Sequence, residues 1–275
     1  MDTVFVTDLD TAELAPYARL TEAQLRRAGE AGSGLFIAES ANVIESALQN
    51  GYEPVSFLTE EKRLGIIATM LEKSGVSAPV YTGEPALLEK LTGYRLSRGM
   101  LCCMKRKPPL TLGEAVSGAS RIAVLEGVGD PENVGSVLRS AAALGFGAVL
   151  VSSSCCDPLH RRAARVSMGA VFRIPWAELP CLKEDANCAD IGRVSGLGFT
   201  TAAMALTEDH IEIDDPVLLS AKRLAVVLGS EGNGLSKKTV AACDHRVTIP
   251  MARGVDSLNV AAASAIAFWT LSGRR

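Results

Sequence analysis

No apolar run in this chain approaches the roughly 20 residues that a membrane-spanning helix requires, and the opening MDTVFVTDLD has neither the basic nor the apolar region of a secretory leader. The seven cysteines include no CxxC pair. Cys102–Cys103 and Cys155–Cys156 are adjacent, which suits neither disulfide geometry nor chelation. The expectation is buried, reduced thiols in a cytoplasmic protein, with no metal site. A basic excess is also missing: the formal net charge is −3, which counts mildly against a nucleic-acid partner. Absent too are the GxGxxG dinucleotide fingerprint and the GK[ST] ending of a phosphate-binding loop, and no repeat or low-complexity segment interrupts the chain.

What is present is an ordinary globular composition, 48% hydrophobic and 21% charged, on a chain long enough for two domains. The first hundred residues read as a small α/β unit. Helical segments are expected over 21–30, 41–49, 62–73 and 84–91, and strands over 35–38, 55–58, 80–81 and 100–104. Thr92 to Gly99, TGYRLSRG, is a basic loop with one aromatic residue, a pattern compatible with stacking on nucleic acid and equally with an ordinary loop. Basic residues gather in two places: Arg95, Arg98, Lys105, Arg106 and Lys107, then His160, Arg161, Arg162 and Arg165. Such clusters are more often a solvated face than a binding patch. The KRKPP stretch from Lys105 to Pro109 favours extended chain and marks the domain boundary. This places a first domain at 1–107, a linker at 108–118 and a second domain at 119–275.

Beyond the linker the strands become continuous apolar runs at 122–125, 148–151, 199–203 and 224–228, separated by helix-patterned segments. That is the signature of a parallel sheet covered on both faces. Three motifs lie on it. In LEGVGDPENVGSVLRSAAALGFG, Asp130 and Pro131 open a helix whose buried stripe is Val134, Val137, Leu138 and Ala141. Its other face carries Arg139 as the one long cation among small neighbours, Gly135 and Ser136 included. In LAVVLGSEGNGLS a buried strand runs into glycines 229, 232 and 234, which enclose Glu231 and Asn233 and let a ligand touch backbone. In RVTIPMARGVDSLNVAAASAIAFW a strand, 247–250, leads to a loop with Arg253, Gly254 and Asp256. Ser257 is then suited to cap a small-residue helix, with Asn259 in its first turn.

In this order and spacing the three motifs resemble the signature of the SpoU (TrmH-like) class of SPOUT RNA ribose methyltransferases. DPENVGSVLRSAAALG, LGSEGNGLS and IPMARGVDSLNVAAASAIA carry the match, and RVSMGAVFRIPW, Arg165 to Trp176, also looks like the family. The N-terminal unit resembles the ribosomal-protein-like RNA-binding domain that often precedes this catalytic domain.

The resemblance implies an α/β fold with a SPOUT-type parallel sheet and a C-terminal trefoil knot, with Gly127, Gly229 and Gly254 relaxing the crossings. It implies transfer of a methyl group from S-adenosylmethionine to a ribose 2′-hydroxyl, ribosomal RNA being favoured over transfer RNA as partner, and a homodimer packed through the Ala261 helix with Phe268 and Trp269. The family's catalytic residues map to Asn133, Arg139, Glu231, Ser257 and Asn259. Backbone groups for the cofactor map to Gly229, Ile249 and Leu258, with Met204 near the adenine pocket or simply in the core. Arg95, Arg98, Arg161, Arg162 and Arg165 are the candidates for RNA contact. A guanidinium with a pKa above about 12 is a poor base, so Arg139 is better suited to gripping a phosphate. Two other readings compete. An ordinary Rossmann enzyme fails for lack of its fingerprint, and a catalytically silent RNA-binding protein has no need of all five motif residues.

Overall fold

The computed structural model describes residues 1–8, 10–18, 20–28, 34–92, 99–183 and 185–272. Two compact units emerge from the contacts: Met1–Pro108 with Leu159–Phe172, and Pro109–Pro158 with Arg173–Arg275.

The first unit carries a five-stranded sheet of β1 (Thr3–Phe5), β2 (Leu35–Glu39), β3 (Pro54–Glu60), β4 (Val80–Gly83) and β5 (Met100–Lys105), in the order β1-β4-β3-β5-β2. β5 runs antiparallel to both its neighbours, and the other pairings are parallel. Its helices are α1 (Ala15–Ala18), α2 (Glu22–Arg27), α3 (Ala41–Gln49), α4 (Leu64–Ser74) and α5 (Pro85–Thr92). Thr21 and Gln24 close a reciprocal capping box on α2, which is shorter than the expected 21–30. Gly75, with φ +67°, ends α4 in the left-handed region. The strand β1 was not legible as a strand because only three residues pair, and they are exposed.

The second unit is built on a wholly parallel seven-stranded sheet. Its members in chain order are β6 (Arg121–Leu125), β7 (Ala148–Ser152), β8 (Trp176–Leu179), β11 (Thr200–Met204), β12 (Ile211–Glu212), β13 (Leu224–Leu228) and β14 (His245–Thr248). A two-stranded antiparallel ribbon, β9 (Cys181–Leu182) and β10 (Asp185–Ala189), intervenes. The order across the sheet is β12-β14-β11-β13-β6-β7-β8. β6, β7 and β13 are buried at every position, which is why 122–125, 148–151 and 224–228 read as apolar runs; the buried Arg121 and Ser152 flank the first two. The last strand ends at Thr248, short of Pro250, whose missing N–H cannot join a ladder.

Helices of this unit are α6 (Leu112–Ala115), α7 (Pro131–Leu144), α9 (Ile191–Gly196), α10 (Pro216–Leu219), α11 (Lys237–Ala242) and α12 (Val260–Leu271), while α8 (Arg161–Val166) belongs to the first unit. Within the stretch expected to be a linker, Thr111 and Glu114 form a capping box that starts α6, and Ala115 and Val116 join the sheet's core. Local capping and burial thus make it part of the second unit. α7 and α12 pack against each other, with Phe146 and Phe268 ring centroids 4.2 Å apart.

The segment 159–172, which sequence order assigns to the second domain, is held by the first unit. Phe172 stacks edge-on against Tyr52 at 4.9 Å, Ser46 Oγ donates to the Gly169 carbonyl at 3.1 Å, and Arg165 reaches both oxygens of Glu39 at 3.2 and 3.3 Å.

Candidate active site

The carboxyl ends of β11, β13 and β14 open on a cavity of about 690 Å³, a size suited to a nucleotide-like ligand. Open parallel sheets bind ligands at these ends because the loops there are free of the strand ladder. Gly229, Ile249, Leu258 and Met204 all line it, as do Glu231 and Ser257. Six of the residues named from sequence therefore converge on one space.

Beside the cavity, three polar side chains join. Asn133 Nδ2 donates to Glu231 Oε1 at 2.9 Å, and Asn259 Nδ2 donates to Asn133 Oδ1 at 3.1 Å and also to Glu231 Oε1. Each comes from a different motif. Asp130 positions Asn133 by accepting from the main-chain N–H of Glu132 at 2.7 Å and of Asn133 at 3.1 Å, with Pro131 in the first turn. Asn259, and not Ser257, is the residue that caps α12: its Oδ1 accepts from the Ala261 N–H at 2.8 Å. Its ψ of 138° keeps it outside the helix, and with the carbonyl end so engaged the amide's donor end faces Glu231. Ser257 is exposed in the preceding loop.

Arg139 is exposed, does not line the cavity, and has no hydrogen-bond or ion-pair partner among the described residues. A cation held by none of the described residues is available to an external anion. Of the arginines considered for RNA contact, Arg165 and Arg161 face the buried Glu39, at 3.2 and 3.8 Å. Arg162 is exposed. Arg95 and Arg98 lie outside the described residues.

Glycine requirements differ from those expected. A Cβ on Gly229 would fall 2.3 Å from the Gly234 carbonyl carbon, so the crowding comes from its own loop. Gly127 and Gly254 are glycines because of φ values of +66° and +71°; a Cβ on either meets nothing closer than 4.0 Å. The cysteines are free, but Cys155, Cys156 and Cys181 are half-buried instead of fully buried. Desolvation pushes the Cys103 and Cys243 thiols up to about 12, which leaves them inert at neutral pH.

Two residues went unnoticed in the sequence. Thr207 lines the cavity with a buried hydroxyl that has no partner among the described residues. Glu126, 2% exposed, accepts from Ser236 N and Ala189 N, each at 2.7 Å, and from the Thr239 hydroxyl. An acidic residue directly after a buried strand gives no periodic signal, so only the tertiary structure reveals its partners.

The chain matches the model of the SpoU rRNA Methylase family over residues 120–269. An uncharacterised tRNA/rRNA methyltransferase of Mycobacterium bovis is 36% identical, the match covering 98% of this chain and 91% of that one. The AdoMet-bound rRNA methyltransferase of Sinorhizobium meliloti superposes with a TM-score of 0.76 at 22% identity, covering 98% of this chain and 97% of that chain. An RNA 2′-O ribose methyltransferase superposes with a TM-score of 0.74 at 24% identity and 98% coverage of both. At such identities the structural likeness is one of fold. With the family model matching more than half of its length and a relative matching nearly all of it, this chain belongs to the SpoU rRNA methylase family.

Proposed function

We propose that this protein methylates a ribose 2′-hydroxyl of RNA, ribosomal RNA ahead of transfer RNA, using the family's cofactor S-adenosylmethionine. The observation that carries the reading is the cavity at the sheet's carboxyl end with the Asn133–Glu231–Asn259 cluster joined beside it. The cavity fits that cofactor on three counts. Three carboxylates, Asp209, Glu231 and Asp256, line it against two cations, Lys237 and Arg246, which suits a molecule of net positive charge. Apolar Met204, Leu228 and Leu258 offer faces for a base. The buried Thr207 hydroxyl awaits a polar partner.

When bound, S-adenosylmethionine would supply an electrophilic sulfonium methyl for the ribose oxygen, its sulfur keeping the C–S bonding pair as a neutral thioether while the hydroxyl proton goes to solvent. Arg139 grips the phosphate beside the target ribose and aligns the hydroxyl, since alignment is worth several powers of ten for a weak oxygen nucleophile. Glu231, fixed by two amide donors, holds the Gly229–Leu235 loop against α7 and α12. Ser257, exposed at the rim, contacts substrate.

The first unit, with its resemblance to a ribosomal-protein-like domain, serves as the substrate-binding domain, which is what favours ribosomal RNA. The family's trefoil knot belongs to the same proposal and rests on the family assignment and on the parallel order of β11, β13 and β14. So does a homodimer: Phe268 is buried against Phe146, but Trp269 is exposed on α12, as is Ile266 one turn earlier, and exposed apolar surface marks association sites.

The test is methyl transfer from labelled S-adenosylmethionine to total RNA of a strain lacking this protein, with ribose methylation mapped by resistance to alkaline cleavage. A newly protected position is expected. Arg139→Ala abolishes transfer and leaves cofactor affinity unchanged; undiminished turnover in that variant overturns the assigned role. Cofactor binding without transfer to any RNA supports the catalytically silent alternative.

A further inference from the structure

The Gly229–Leu235 loop carries Glu231, and three of its seven residues are glycines. Glycine-rich chain loses more conformational freedom on ordering than any other, so something must hold this loop in the form that presents Glu231. Part of the restraint is internal: Gly234 N donates to the Ser230 carbonyl at 3.0 Å. Asn133 and Asn259 hold Glu231 itself, and the two ends of the loop meet one residue from elsewhere in the chain. Glu126 follows β6, and its main-chain N–H donates to the Leu228 carbonyl at 2.9 Å, at the residue where the loop begins. Its carboxylate accepts from Ser236 N at 2.7 Å, at the residue where the loop ends. The other carboxylate oxygen accepts from the Thr239 hydroxyl and from Ala189 N, the latter at 2.7 Å, which ties α11 and the β10 ribbon to the same point.

We propose that Glu126 is a positioning residue for methyl transfer, clamping both feet of the Gly229–Leu235 loop so that Glu231 meets Asn133 and Asn259 and the cofactor cavity keeps its wall. This rests on the function proposed above. The clamp has to be a carboxylate. Three donors converge on it, two of them main-chain N–H groups, and only a carboxylate offers acceptors with no donor of its own. An amide turns its NH2 toward at least one of those N–H groups and leaves it unpaired in a buried setting. Asp at this position retains the charge but is one methylene too short to reach Ser236 and Ala189 together. Glu126 itself does not line the cavity, whereas the loop residues it restrains, with Lys237 and Val240 of α11, do. Its effect on chemistry is therefore exerted through them.

The test compares wild type, Glu126→Gln, Glu231→Gln and the double variant. It measures kcat at saturating cofactor, cofactor affinity by calorimetry and amide exchange at Ser236. Glu126→Gln is expected to speed Ser236 exchange and to weaken cofactor binding. It should also lower kcat by about tenfold to a hundredfold, the effect of an unpaired buried hydrogen-bonding group. Because Glu126 acts through Glu231, the double variant should be no slower than Glu231→Gln alone. A merely structural loss would instead multiply, and multiplying effects overturn the proposal. So does a Glu126→Gln variant whose kcat and cofactor affinity stay within about twofold of wild type, below any buried hydrogen-bond loss. If Glu126→Gln does not fold, Thr239→Val, which removes one donor and leaves the carboxylate on both amides, takes its place in the same cycle with the same readings. A wild-type protein that transfers no methyl group to any RNA overturns the functional reading itself, a result separate from failure of the clamp.

Discussion

Asn259 shows how one short side chain serves two ends. Its carbonyl oxygen caps α12 and its NH2 binds Glu231 and Asn133. Asn259→Ser keeps a capping oxygen and loses the donor. Its melting temperature should stay close to wild type, where a residue unable to cap would cost about 1 kcal/mol, while methyl transfer falls at least about tenfold with the lost hydrogen bonds. Thermal melts beside a transfer assay separate the two roles. The buried thiols make a second prediction at this scale. Cys103 and Cys243 stay protonated in the fold until about pH 12, whereas in the unfolded chain they ionise near pH 8.5. Their raised values favour the fold fully below the unfolded value and progressively less above it. Ionisation of the unfolded chain should therefore lower stability steadily across that window. Denaturant melts from pH 8 upward test this through a falling midpoint, and replacing either cysteine by Ala should flatten the fall.

Among the elements, α8 is the one whose sequence position misleads. It follows β7 of the second unit, and the Arg161, Arg162, Arg165 cluster on it reads as a basic patch; yet Glu39, at the end of β2, receives both Arg165 and Arg161. Among the described residues, Arg165→Ala leaves the buried carboxylate of Glu39 with the more distant Arg161. The expected cost is about 1–3 kcal/mol, below the figure for a fully enclosed pair because Arg165 keeps some contact with water. Chemical denaturation measures it, and Glu39→Gln in the same background should recover part of the loss by removing the stranded charge. The contrast with α7 is instructive. Asp130 and Pro131 start α7 where the sequence says they should, and Gly145, in the left-handed region, ends it, since capping is a local property.

For the whole molecule, the exposed apolar stripe of α12 is the feature a lone chain leaves unexplained. Ile266 is 38% exposed and Trp269 66%. Trp269→Glu should convert the proposed dimer to a monomer of unchanged fold, read by light scattering and circular dichroism; a monomeric wild type sinks the dimer outright. Association through such a stripe needs no charge complementarity and should survive high salt, in contrast to RNA binding, which weakens steeply with salt.

The sequence determined the parallel sheet, since strands buried on both faces carry long apolar runs, as 122–125 of β6, 148–151 of β7 and all of β13 do. It also determined α7 with its Asp130 cap and the glycine loop that follows β13. These are consequences of a residue's own neighbours in the chain. Family motifs carried Asn133, Glu231 and Asn259, but their mutual hydrogen bonds span 98, 126 and 28 positions. Pairings at such separations leave no periodic trace. The tertiary structure alone decided that Asn259 caps α12, that Glu39 takes the arginines of α8, and that Glu126 holds both feet of the Glu231 loop. A buried polar side chain takes whichever partners folding brings within about 3 Å, and chain order does not encode that distance.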